Sequence, residues 1–260
     1  MKLLLDLDGV MVTAPSWQKD TNLEDGFPSF NQKSVYNLNS LISKMNPEIV
    51  LISSHRNRFK SFEWIDIFRN RGINITSIEI PNILGDDNKA IEIETYLKDL
   101  KESYIIIDDD SRLNGLSQII KVNCVITKSL IGFDDEALEE AVKIFEISTK
   151  KTWAVHKNKH EFDIYVGRPS KYGNPYTHIQ DGKNAAEFIV STRDQAISEY
   201  RKHLYSSGLI NDIEELRGKR LGCWCCKEPS DGLSDKKVCH AEVLAEILNE
   251  KFRIKSNVLM

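Results

Sequence analysis

The sequence predicts an α/β chain: a parallel sheet with helices on both faces, followed by a second, small α+β domain. Three observations lead there. Short unbroken apolar runs have the composition of strands buried on both sides. Stretches with apolar residues at helical spacing alternate with them, the order that builds parallel βαβ units. Near residue 150 this alternation halts in a polar segment, and the chain restarts with more cysteine and glycine.

Taken in order, KLLLDLD (2–8) reads as the first strand, turning at Gly9. The insert after it holds Trp17, Phe27 and Phe30 among polar residues, too little for a domain but enough for a small flap. SVYNLNSLISKM (34–45) is a helix, EIVLISS (48–54) a second strand, and FEWIDIFRNRG (62–72) a helix closed by Gly72. Lys89 to Leu100 is helical, SYIIIDDD (103–110) is a third strand and VNCVIT (122–127) a fourth, before a helix from about Asp134 to Glu146. The polar STKKTWAVHKNKHE (148–161) separates two domains, 1–148 and 149–260. In the second, EFDIYVGR (161–168) and KRLGCWC (219–225) read as strands. Ala185–Tyr205, Ile210–Leu216 and AEVLAEILNEKF (241–252) read as helices.

Of the 260 residues 41% are hydrophobic, enough for a sizeable core. No stretch approaches the length of a membrane-spanning helix, so no membrane partner is expected. MKLLLDLDG is not a signal peptide, because acids interrupt its short apolar run, and a cytoplasmic location is the default. Four of the five cysteines (Cys223, Cys225, Cys226 and Cys239, but not Cys124) fall in one segment, which in a reducing compartment points to metal or thiol chemistry. Residues 1–148 carry 16 Lys and Arg against 24 Asp and Glu, a charge of −8; residues 149–260 carry 19 against 15, or +4. Only the second half can meet an anionic partner by bulk charge.

Ligands of a parallel α/β sheet bind beyond the carboxyl ends of its strands. Three strand ends here carry chemistry: Asp6 and Asp8, Ser53 and Ser54, and Asp108 to Asp110; Lys89 begins a helix between the last two. A strand's side-chain period of two lets Asp6 and Asp8 face one site. Carboxylates gathered this way repel, and a divalent cation with a preference for oxygen, Mg²⁺, relieves them. Serine hydroxyls and the lysine ammonium suit a phosphate. Arg56 reads either as a second phosphate clamp or as a solvated helix start, and Asp110 as a solvated loop residue or a helix cap.

D-x-D-G-V, a strand ending in serine, a lysine and a strand ending in D-D resemble the four motifs of haloacid dehalogenase-like phosphohydrolases, whose fold is a Rossmann-like parallel sheet. CVITKSLIGFDDEALEEAVKIF (124–145) is similar to the last strand and helix of the capless phosphatase domain of some RNA-repair proteins. The resemblance covers roughly residues 1–148. It implies a Mg²⁺-dependent phosphatase with Asp6 as nucleophile and Asp8 as general acid and base. It implies that Ser53 and Lys89 bind the phosphoryl group and that Asp6, Asp108, Asp109 and the backbone of Asp8 hold the metal. The second motif departs from the usual L-T-S-W: in I-S-S-H (52–55), Ser53 replaces threonine and His55 tryptophan. The partner implied is a phosphorylated small molecule, a nucleotide or a nucleic-acid end. The rival reading is a nucleotide- or nucleic-acid-binding module on an inactive phosphatase scaffold.

The second half carries two motifs. YVGRPSKYGNPY (165–176) is a loop in which Arg168, Lys171 and Asn174 either meet an anion or only set a turn. In LGCWCCKEPSDGLSDKKVCHAEVL (221–244), alternation with Trp224 would put Cys223 and Cys225 on one side of a strand, with Cys239 and His240 at a helix start. These four side chains read as a Zn²⁺ site, as packed small hydrophobes, or as a catalytic thiolate at Cys239. Cys226 would be a spare ligand or a surface thiol. Together the motifs resemble a small domain of unknown function marked by G-R-x-S-K-x-G-N-P and L-G-C-W-C followed by C-H.

Overall fold

The computed structural model describes residues 1–13, 22–82, 88–100, 102–180 and 185–258, the last helix by its backbone alone beyond residue 250. The chain divides into two compact units, Met1–Glu146 and Ile147–Met260. No helix among the described residues is long and apolar enough to cross a membrane.

The first unit runs β1 (Lys2–Leu5), α1 (Gln32–Met45), β2 (Glu48–Leu51), α2 (Ser61–Asn70), β3 (Ile78–Glu79), α3 (Lys89–Leu97), β4 (Tyr104–Asp108), α4 (Gln118–Lys121), β5 (Cys124–Ile126) and α5 (Asp135–Thr149). Its strands form one parallel sheet in the order β3-β2-β1-β4-β5. Parallel neighbours need crossovers, which the helices supply. Alternation then sorts the apolar runs. Leu3, Leu5, Ile49, Leu51, Ile105 and Ile107 pack with α1, α2 and α5, while Leu4, Val50, Ile52 and Ile106 pack with α3. Because β1 has a neighbour on each side and helices on each face, Leu3, Leu4 and Leu5 are fully buried.

Among the described residues of the insert after β1, the aromatic rings turn inward rather than over the cleft. Phe27 and Phe30 belong to the core: Phe27 meets Trp64 edge-on at 5.0 Å between ring centres, and Phe30 meets Phe68 at 5.4 Å. Such pairs are worth about 1 kcal/mol beyond their buried area, so the rings gain more inside than over a cleft. Trp17 lies outside the described residues.

The second unit runs β6 (Trp153–His156), β7 (Ile164–Tyr165), β8 (Tyr176–Thr177), β9 (Phe188–Ile189), α6 (Arg193–Ser206), β10 (Arg220–Cys223) and α7 (His240–Val258). Two parallel sheets form, β6-β10-β7 and β8-β9. The polar segment at 148–161 contains a strand, β6, whose Ala154 and Val155 are buried between charged flanks that mask them in the sequence. The helix expected over 185–205 is α6, which starts only at Arg193 because Thr192 caps it, its side chain accepting from the Gln195 N–H; Phe188 and Ile189 before it pair as a strand. Residues 209–216 form a 3₁₀ turn rather than an α-helix.

Candidate active site

β1 ends at Leu5, one residue before the first acid. Asp6 still follows the sheet, its N–H donating to the Ile107 carbonyl, but the chain then coils. The N–H groups of Met11 and Val12 both donate to the Leu7 carbonyl, and Gly9 adopts a φ of +65°. Asp8 therefore does not stand beside Asp6 on a strand, as period-two alternation had implied. It rides on the turn, its side chain about half exposed, with Oδ2 3.0 Å from His55 Nε2. A side chain on Gly9 would collide with Asp109, whose Oδ2 lies 2.0 Å from where that Cβ would sit. The missing side chain is what admits the Asp109 carboxylate.

Lys89, the first residue of α3, reaches between two of the acids. Its Nζ is 3.0 Å from Asp6 Oδ1 and 2.6 Å from Asp108 Oδ2. Asp108 is fully buried at the end of β4, and Asp6 nearly so. Burial, reinforced by the Asp108 charge and opposed by Lys89, pushes the Asp6 carboxyl up to about 7. Burial also raises Asp108 against the pull of Lys89. Burial works against the charge on Lys89, but the two carboxylates outweigh it and raise its pKa. Carboxylate oxygens of Asp6, Asp108 and Asp109 lie within 4.8 Å of one another. Three carboxylates against one ammonium leave negative charge in excess, and a set of hard oxygen donors is what Mg²⁺ takes. The residues present fit that ion.

Asp6, Lys89 and Asp109 border a cleft of about 640 Å³, which also takes in Asp8, Ser54 and Arg56. Ser53 is buried beneath it, its hydroxyl accepting from the His55 N–H at 3.3 Å. Arg56 is neither a solvated helix start nor an uncommitted clamp: its buried guanidinium pairs with Glu92 at 3.0 Å. Glu92 escaped the sequence reading, although its place one turn after Lys89 puts both on one helix face. Asp110 caps the following 3₁₀ turn, accepting from the Arg112 N–H. Thr127, another residue not anticipated, donates to the Gly9 carbonyl at 2.8 Å and holds the turn from β5.

The two motifs of the second unit meet in one cleft of about 440 Å³, lined by Arg168, Trp224, Cys223, Cys225, Cys239 and His240 among others. Lys171 is not part of it, being paired with Asp212 and Glu215. Asn174 lines the cleft, yet its side chain is committed to backbone, donating to Ala196 and accepting from Tyr176. Arg168 donates to the Asn174 and Tyr176 carbonyls. β10 ends at Cys223, so Cys225 lies beyond the strand rather than on it, but the sulfurs of Cys223, Cys225 and Cys239 still come within 4.8 Å of one another. His240 Nδ1 is 3.7 Å from Cys223 Sγ. Cys226 is no surface thiol; it is fully buried, its sulfur 3.3 Å from the Ala154 carbonyl and 3.1 Å from the Glu228 carbonyl, either of which can accept its one hydrogen.

Comparison with known proteins agrees with this division. Residues 147–250 match a domain of unknown function, DUF4326. An uncharacterized protein of Acanthamoeba polyphaga mimivirus, R718, is 32% identical over 114 residues, which span 38% of this chain and 80% of that protein. An uncharacterized 12.4 kDa protein from the nrdA-td intergenic region of Enterobacteria phage T4 is 34% identical over 104 residues, 38% of this chain and 79% of that one. No solved structure matches. Residues 2–138, the stretch that carries the Asp6, Lys89 and Asp108 cluster, match the HAD domain in Swiss Army Knife RNA repair proteins, a phosphatase-type hydrolase fold, and the chain belongs to that family.

Proposed function

We propose that the first unit hydrolyses phosphomonoesters through a phosphorylated Asp6, acting on nucleotides or nucleic-acid ends. The observation that supports this is the meeting of Asp6, Lys89, Asp108 and Asp109 at the carboxyl ends of β1 and β4, with Asp8 held apart on the turn. The family's description places such domains in RNA repair proteins, which favours phosphorylated nucleic-acid ends.

In this reading the Asp6 carboxylate attacks phosphorus, and the bond from phosphorus to the leaving oxygen breaks. Asp8 gives that oxygen its proton, then takes one from the water that attacks the aspartyl-phosphate, releasing phosphate and restoring Asp6. His55 Nε2, 3.0 Å from Asp8 Oδ2, keeps Asp8 turned to the cleft. Lys89 orients Asp6 and meets the phosphoryl oxygens, assisted by the hydroxyls of Ser53 and Ser54. Mg²⁺, held by Asp6, Asp108, Asp109 and the backbone carbonyl of Asp8, would supply the positive charge these acids lack. Arg56, already paired with Glu92, stiffens the cleft wall rather than supplying net charge.

The test is phosphate release from a chromogenic monoester, then from nucleotides and from 3′- and 5′-phosphorylated oligonucleotides, with and without Mg²⁺. Turnover should require Mg²⁺. Asp6→Asn should lower it by roughly 10³-fold or more while circular dichroism stays unchanged. No turnover across that panel, with salt-dependent nucleic-acid binding in its place, would instead establish a binding module.

A further inference from the structure

We propose that the second unit holds a structural Zn²⁺ ion on the sulfurs of Cys223, Cys225 and Cys239 and on Nδ1 of His240. The ligands come from two places, the end of β10 and the start of α7, so the ion would tie a sheet to a helix.

Spacing is the first argument. Zn–S bonds of about 2.3 Å at tetrahedral angles put sulfurs about 3.8 Å apart. The three sulfurs already lie within 4.8 Å of one another, and none of the cysteines is in a disulfide. His240 Nδ1 stands 3.7 Å from Cys223 Sγ; the ligand atoms that all lie within 4.8 Å of one another are the three sulfurs alone, so the imidazole has to draw closer to Cys225 and Cys239 to become the fourth ligand.

The second argument is the orientation of the imidazole. Nε2 lies 2.8 Å from the Val166 carbonyl, which can only accept, so Nε2 carries the hydrogen. That leaves the Nδ1 lone pair on the side of Cys223. A backbone carbonyl behind the ring is the outer-shell arrangement that fixes metal-binding histidines.

The third argument is contrast. A thiol that merely packs looks like Cys226, whose sulfur is satisfied by the carbonyls of Ala154 and Glu228. The other three turn their sulfurs toward one another. Three thiolates and one imidazole suit Zn²⁺ and exclude Mg²⁺ as the resident ion. Through Val166 the ion would also steady the Gly167–Arg168 loop, so the two motifs would share one support.

The full chain, purified with a reductant and no chelator, should contain about one zinc by elemental analysis; less than about half an equivalent overturns the proposal. Cys225→Ser is the first variant, because Cys225 is the most exposed of the ligands. It should weaken zinc by more than the roughly 10–100-fold that losing an outer-shell partner costs. Unchanged affinity removes Cys225 from the ligand set and overturns the assignment. Cys226→Ser should keep its zinc, and loss of zinc there also overturns it. Co²⁺ substitution in the unaltered chain gives a readout independent of any variant. Strong visible bands of a tetrahedral site with thiolate-to-cobalt charge transfer are expected; the weak bands of an octahedral ion would overturn the proposal.

Discussion

Arg71 sits at the foot of the insert with its side chain only 2% exposed. It pairs with Asp25 at 2.7 Å, donates to the carbonyls of Phe27, Pro28 and Ile67, and lies over the Phe30 ring at 5.0 Å. Removing it strips a partly buried acid of its ion-pair partner and leaves three carbonyls short of a donor. Arg71→Met should therefore cost roughly 3 kcal/mol, read as a lower urea midpoint with an unchanged slope. The hydrogen bond from Arg71 holds the Asp25 carboxyl well below the usual carboxylate range, despite some burial that opposes it. A depressed folded pKa gives stability that is fully present above the unfolded value of about 4 and fades as pH falls toward the folded one. Asp25→Asn should thus be clearly less stable than the parent at pH 7. The gap should narrow steadily below about pH 4; a gap that stays constant down to strong acid would show that the pair contributes nothing.

Among the elements, the turn from Leu7 to Val12 decides how the site is built. Gly9 is in the left-handed region, at a φ of +65°, and faces the Asp109 carboxylate where its own side chain would be. Gly9→Ala should cost about 1–2 kcal/mol in backbone strain. Its larger effect should be to displace Asp109, raising the Mg²⁺ concentration needed for half-maximal phosphatase activity by roughly tenfold. Unchanged Mg²⁺ dependence would take Asp109 out of the metal set. The strands before such turns were legible because β1, β2 and β4 are buried on both faces and so carry unbroken apolar runs, residues 3–5, 49–51 and 105–107. The chemistry at their ends was legible for the same reason, since carboxylates and serines stand out against those runs. Asp8 borders the same cleft as Asp6, but from a turn and not from the strand, because β1 ends before Asp6, which the sequence does not show. In the second unit β7, β8 and β9 have two residues each, too few to display any period. The meeting of the Arg168 loop with Cys223 and His240 was equally hidden, because it joins segments far apart in sequence and depends on tertiary packing alone.

At the scale of the whole molecule, each unit has its own apolar core, the first built on β1 and the second on β10 and α7. The candidate sites differ in the same way. One is a set of hard oxygen donors, the other a set of thiolates with an imidazole. Ions that bind only the folded state stabilise it by mass action, about 2.7 kcal/mol at a hundredfold excess over Kd. The two units should therefore respond to different metals. In calorimetry a chelator selective for Zn²⁺ over Mg²⁺ should lower one unfolding transition and leave the other in place. Phosphate release from a chromogenic monoester, measured with Mg²⁺ in the same sample, should persist below the lowered transition. Asp6→Asn should give the converse, abolishing turnover while zinc content and the chelator-sensitive transition stay as they were. If the chelator abolishes turnover at a temperature where both transitions remain folded, the thiolate site takes part in the hydrolysis, and the catalytic and structural metals are not separate.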